Sequence, residues 1–181
     1  ERVFRHYSRF FDVIVADAIY LEGPFFKFCL DHNKDVLVVL KDNNPALLEE
    51  AQAIFSEGKP VVRHKDKRTI RLWDSEGFGA CENFPVPLRI IHTRETETGR
   101  SRIAGRWENF EDTSCWYWAT TLSKSRCPSF VARQAGHHRW DIENDLFNTL
   151  VNQFSLNHCF KHDPVAILNF ILTLFIAFVL I

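Results

Sequence analysis

The sequence predicts an α/β fold: a parallel strand–helix–strand unit, then a stretch of antiparallel strands, then helices. Three observations carry this expectation. FFDVIVADAIY (10–20) and DVLVVLK (35–41) are continuous apolar, β-branched runs, the pattern of strands buried on both faces. Residues 59–128 break into short alternating runs separated by Gly, Pro and Ser. From Ser129 onward the apolar spacing is helical again. The expected organisation is therefore an α/β part over 1–58, an antiparallel β insertion of four or five strands over 59–128, and C-terminal helices over 129–181.

The first run reads as a central strand with Asp17 at its carboxyl end. GPFFKFCLDHN (23–33) follows as a helix with Pro24 near its start, and DVLVVLK returns as the second buried strand. NNPALLEEAQAIFSEG (43–58) predicts a capped amphipathic helix, with Asn44 as N-cap, Pro45 in the first turn and Gly58 at the stop. KRTIRLWDSEGF, VPLRIIHTRETETG and SCWYWATTLS supply the antiparallel strands, and the alternating CWYW reads as hairpin core more simply than as a base-stacking platform. The terminal run PVAILNFILTLFIAFVLI (164–181) would reach about 27 Å as a helix, just short of a bilayer core. It contains Asn169 and Thr173 and lacks flanking Trp or Tyr, so it is read as a buried core helix rather than a membrane span.

The 181 residues suffice for one domain, or a domain carrying an insertion. A formal net charge of −1 gives no bulk electrostatic case for nucleic acid, so any contact would rest on local clusters at Arg63–Arg71, Arg89–Arg106 and Lys124–Arg139. The chain lacks methionine and opens ERVFRHYSRFF without a signal-like pattern, so Glu1 is read as an interior position of a longer protein. Five scattered cysteines with no CxxC spacing suggest free thiols in a reducing compartment. His158 and His162 are four apart, as zinc ligands on one helix face can be, but no cysteine pair or HExxH accompanies them, and packing or capping is the simpler role.

HHRWDIENDLFN (137–148) poses the sharpest question. At 100° per residue, Trp140, Phe147, Leu150, Val151 and Phe154 form an apolar stripe, and Glu143 falls inside it. A carboxylate facing an interior needs a partner, a hydrogen bond or a metal. In open α/β sheets ligands bind beyond the carboxyl ends of strands, which is where Asp17 is expected, although an aspartate that simply caps the next turn explains the run equally well. Two acids brought together across the insertion would suit Mg²⁺ or Mn²⁺, hard cations that prefer oxygen ligands and assist phosphodiester chemistry.

VIVADAIY, VLKDN and HHRWDIENDLFNTL together resemble the DDE transposases of bacterial insertion sequences, in the cut-and-paste branch whose ribonuclease H-like core is interrupted by a β-strand insertion. The resemblance spans nearly the whole chain, and the run RW-x-IEN-x-x-FN-x-L is its most specific part. It implies a ribonuclease H-like core incomplete at its N-terminal side, with Asp17 as the second acid of the catalytic triad and Glu143 as the third. Both acids would hold Mg²⁺, with Mn²⁺ as substitute. The first aspartate would lie upstream of Glu1, so the chain by itself is expected not to catalyse. The branch signature of Tyr, two residues, Arg, three residues, Glu, six residues, Lys is met at Arg139 and Glu143, whereas the Tyr position falls on Gly136 and the Lys position on Leu150.

The resemblance further implies DNA, both element ends and target, as partner. Arg139, His137, His138 and Lys41 would contact it; an i, i+4 ion pair to Glu143 is an equal alternative for Arg139, and ordinary solvation is the plainer role of the two histidines and of Lys41. A pair of chains on two DNA ends, no membrane, and a bacterial cytoplasm with nucleoid association complete the expectation. The competing expectations are a decayed or repurposed DNA-binding remnant without catalysis, and a membrane-tethered domain.

Overall fold

The computed structural model describes residues 2–79, 84–103, 106–159 and 161–180, without the side chains of 2, 3, 103, 142 and 143. The chain divides into two units, Glu1–Gly136 and His137–Ile181.

In the first unit the continuous apolar runs become parallel strands. After a short helix α1 (Arg2–Tyr7), β1 (Val13–Ala16) pairs with β2 (Asp35–Val39) in the register Val13 to Asp35, and α2 (Gly23–Asp31) connects them. All five residues of β2 are buried because the strand is covered on both faces, which is why its sequence does not alternate. β1 is shorter than its apolar run suggests and only partly buried, and among the described strands it is an edge rather than a centre. The run ends at Asp17, whose extended backbone and side chain cap a 3₁₀ turn at Ala18–Tyr20.

α3 (Pro45–Glu57) starts as its sequence predicts: the Asn44 side chain accepts the Leu47 N–H at 3.1 Å. Gly58 ends it at φ −81°, not in the left-handed region. Its carbonyl instead accepts the Trp73 indole N–H at 2.8 Å, and an added Cβ would sit 3.4 Å from that ring.

β3 (Val61–Lys65), β4 (Arg68–Phe78), β5 (Leu88–Ile103) and β6 (Arg106–Thr120) form an antiparallel meander. β6 pairs with β2 at Leu37–Val39, so these strands share one six-stranded mixed sheet with β1 and β2, in the order β1-β2-β6-β5-β4-β3. A bulge between Glu76 and Phe78 is turned by Gly77 at φ 98°. β4 pairs with β5 only as far as Arg68 opposite Glu97, so the end of β5 and the start of β6 continue as a two-stranded ribbon.

Each face of the sheet has its own apolar cluster. Val36, Val38, Leu88, Ile90 and Ala119 pack with Phe26 of α2 and Leu47, Ala51 and Phe55 of α3. Leu37, Val39, Leu72, Ile91 and Trp118 pack on the opposite face with Ala132 of α4 (Ser129–Asp141). Trp118 and Trp116 stack there at 6.0 Å between centroids, while Trp107 on the ribbon is 69% exposed.

In the second unit the helix does not keep the period assumed for its stripe. α4 gives way to a π-helix over Ile142–Phe147 before α5 (Asn148–Asn152). The wider i→i+5 turn advances the phase, so Leu150 is buried while Phe147 and Val151, expected on the same stripe, are exposed. His158 and His162 lie outside any helix and do not share a helical face. α6 (Pro164–Leu180) forms as expected but is not a core helix: Val165, Leu168, Leu172, Ile176 and Val179 are exposed, and Leu174 is its one buried residue among those described. A unit of this size has too little surface to cover a helix that is apolar on every side. No described helix is long and apolar enough to cross a membrane.

Candidate functional site

Asp17 stands at the carboxyl end of β1, half-buried, and its Oδ1 accepts the Ala18 N–H at 2.8 Å. The loop after β2 reaches the same place, where Asn43 donates its side-chain amide to the Ala18 carbonyl at 2.6 Å. Two loops at the carboxyl ends of adjacent parallel strands are thereby tied together, the location at which α/β sheets hold ligands. Asn43 was not singled out from the sequence; its neighbour Asn44 carries the recognisable capping signal, and only the fold shows that Asn43 faces the Asp17 turn.

Lys41 follows β2 and is exposed. With Asp42, Gln52, Cys115 and Tyr117 it lines a groove of about 240 Å³ between the end of β2, α3 and β6.

Glu143, Arg139, His137 and His138 belong to the second unit. The backbone at Glu143 lies in the π-helix, a rare form that recurs at functional sites, but its side chain lies outside the described residues. The Arg139 guanidinium sits 5.3 Å from the centre of the Trp140 ring, a cation–π geometry. His138 is exposed and its Nδ1 is hydrogen-bonded to the Asp141 carboxylate on the next turn, and His137 is half-buried.

Among the described residues no group of three or more His, Cys, Asp or Glu side chains is arranged to hold a metal ion. Asp17 is a hard oxygen donor of the type Mg²⁺ prefers, but it is one ligand and not a set.

The strongest electrostatic constructions of the first unit are elsewhere. Arg89 is buried on the α4 face of the sheet, donating to both oxygens of Asp74 at 2.9 and 2.6 Å and to the carbonyls of Leu122 and Cys127 at 3.1 and 2.8 Å. Arg133 of α4 forks onto buried Glu95, and Arg126 pairs with Asp35 at 2.6 Å. These pairs clamp the 121–133 segment to the sheet. On the opposite face His92 is sandwiched between Trp73 and Tyr117, and burial, reinforced by Arg94 and opposed by its Trp116 hydrogen bond, holds its pKa below the usual 6.5.

No protein-family model matches the chain, and no curated protein matches it.

Gly136 and Leu150, the two positions that do not meet the expected Tyr and Lys, are both set by packing. A Cβ on Gly136 would come within 2.4 Å of the Trp118 indole nitrogen, so the backbone of α4 lies directly on a buried ring and no side chain fits. Leu150 is fully buried, where a lysine would carry an unpaired charge out of water.

Proposed function

We propose that the chain is part of a DDE transposase, contributing the later half of a ribonuclease H-like core and its β insertion to DNA strand cleavage and strand transfer. The observation that carries this reading is Asp17: a half-buried carboxylate at the carboxyl end of a parallel strand, in a turn braced from the neighbouring loop by Asn43. Glu143 is its proposed partner acid, and Arg139, His137, His138 and Lys41 are proposed DNA contacts. DNA is the substrate, a pair of chains on two DNA ends the working form, and a bacterial cytoplasm the setting. When bound, Mg²⁺ would supply Lewis acidity at the reacting phosphate. Asp17 would contribute a fixed oxygen ligand from a turn already ordered by its own hydrogen bonds.

Paramagnetic Mn²⁺ tests this without requiring turnover. Titrated into the ¹⁵N-labelled chain, it is expected to broaden the Ala18 amide and the Asn43 side-chain resonances first, and the Asp17→Asn variant is expected to lose that broadening. Broadening centred elsewhere, or unchanged in the variant, overturns the assignment.

A second reading, a remnant that has kept DNA binding without catalysis, is favoured by the packing at Gly136 and the burial of Leu150, which occupy the Tyr and Lys positions of the signature. It predicts that Mn²⁺ does not collect at Asp17.

A further inference from the structure

Arginines and carboxylates are distributed unevenly between the two faces of the sheet. On the α4 face Arg68 meets Glu97 at 2.7 Å, Arg89 meets Asp74, and Arg63 lies 3.6 Å over the Phe130 ring. On the other face Arg71 of β4 and Arg94 of β5 are directly opposite in register, both exposed, and among the described residues no carboxylate pairs with either. Directly opposed like charges destabilise a strand pair. At a Cα separation of about 4.5–5.5 Å the two guanidiniums can instead converge on one anion.

The same face continues this pattern along the strands. Alternation from Arg94 places Thr96, Thr98, Arg100 and Arg102 of β5 on it, with Thr69 and His64 on the adjoining strands and Thr113, Asn109 and Trp107 opposite on β6. Among the described residues on this face of β3–β6, Glu111 is the one carboxylate. From Arg94 to Arg102 the strand runs about 27 Å, with a hydroxyl row between two cationic ends. At the far end Trp107 stands opposite Arg102 in register and is exposed, as a stacking platform is.

We propose that this face of the sheet, from the Arg71–Arg94 pair to the Arg100, Arg102 and Trp107 of the ribbon, binds a phosphodiester backbone, with DNA as its occupant. Charge complementarity selects a polyanion. The linear extent, the hydroxyl donors and the terminal indole favour nucleic acid over an acidic protein, because phosphates accept from arginine and threonine alike while bases supply a stacking surface. The phosphate-binding face stands on charge placement alone; the choice of DNA among nucleic acids rests on the strand-transfer reading above.

The test is duplex DNA binding by the full chain, measured by fluorescence anisotropy in EDTA so that a failed metal site cannot disturb it. Arg71→Gln with Arg94→Gln is expected to weaken binding at least about tenfold, and to reduce the slope of log affinity against log salt by about 2, one counterion for each lost phosphate contact. Arg100→Gln with Arg102→Gln should act in the same direction. Arg68→Gln, on the opposite face, should leave binding unchanged. Removing two exposed like charges should not lower the melting temperature, so a loss of binding in a variant that melts as the wild type does is a surface effect. The proposal is overturned if the wild-type chain does not bind duplex DNA at low salt, if the paired variants bind as it does, or if polyglutamate competes as well as DNA. Intact EDTA-resistant binding with no Mn²⁺ at Asp17 would overturn the catalytic reading and leave this surface standing.

Discussion

Replacing Arg89 by methionine should be among the most damaging single changes available in the first unit. The guanidinium is 2% exposed and makes a two-point contact with Asp74, itself buried, while also donating to the carbonyls of Leu122 and Cys127. Methionine fills most of the volume, so the loss is electrostatic rather than a cavity. Removing one partner of a buried ion pair costs about 3–5 kcal/mol because the other charge remains in a poorly solvated place. Lys124, 3.8 Å from Asp74 and half-exposed, can offset part of this, which puts the expectation toward about 3 kcal/mol. The double variant Arg89→Met/Asp74→Leu removes the stranded carboxylate and should recover at least about 2 kcal/mol of that loss, although the two carbonyls still lack their donor. Urea unfolding followed by tryptophan fluorescence measures both, with Trp118 reporting the nearby core. A single-variant loss below about 1 kcal/mol, or a double variant no more stable than the single, refutes the claim that the pair is a clamp whose halves depend on each other.

Gly136→Ala, which in an exposed helix gains about 1 kcal/mol, should here destabilise by about 1–3 kcal/mol, because its Cβ meets the buried Trp118 ring; Trp118→Phe in the same chain should relieve part of that cost in the urea titration. His92 is held neutral in the folded chain with its pKa below 6.5, so the unfolded state binds the proton first: stability should be constant above about pH 6.5 and fall as pH drops below it, by at most about 1.4 kcal/mol per unit, and His92→Phe should remove that slope from the pH series. Burial pushes the Cys29 thiol up to about 11, so at pH 8 iodoacetamide should label exposed Cys115 well before Cys29, with mass spectrometry giving the order; equal rates would mean that the α2 packing opens readily.

The sequence made the parallel unit readable because its cues are local. An apolar run bounded by a polar turn, a Pro in the first turn of a helix, and an Asn N-cap each report on neighbours within a few residues. β1, β2, α2 and α3 followed from them, and Asp17 was found at a strand end for the same reason. What local cues could not supply was register. Arg71 and Arg94 lie in different runs, and only the pairing of β4 with β5 makes them opposite neighbours. The same holds for Arg89 and Asp74, whose burial was invisible in strands that read as half-polar. The π-helix was equally hidden, since a 100° projection assumes the period that Ile142–Phe147 abandons. The apolarity of α6 was legible but its exposure was not, because burial depends on how much partner surface the rest of the unit offers.

Gly136 and Leu150 show why a motif position has to be judged with its packing. By spacing alone, each is a missing functional group. In the fold, Gly136 is the point at which α4 approaches a tryptophan too closely for any side chain, and Leu150 is withdrawn from solvent. The large ring at Trp118 and the glycine beneath it are two halves of one arrangement: a smaller residue at 118 would leave a void that a side chain at 136 could fill. A tyrosine at 136, as the signature of the proposed family would have it, is therefore incompatible with this core, and introducing one without reshaping Trp118 would test packing and not chemistry. Asp17 carries no such conflict, since it sits half-buried at the strand end with its Oδ1 accepting the Ala18 N–H in a turn braced by Asn43. That asymmetry makes metal binding at Asp17, rather than restoration of the signature, the decisive observation for catalysis.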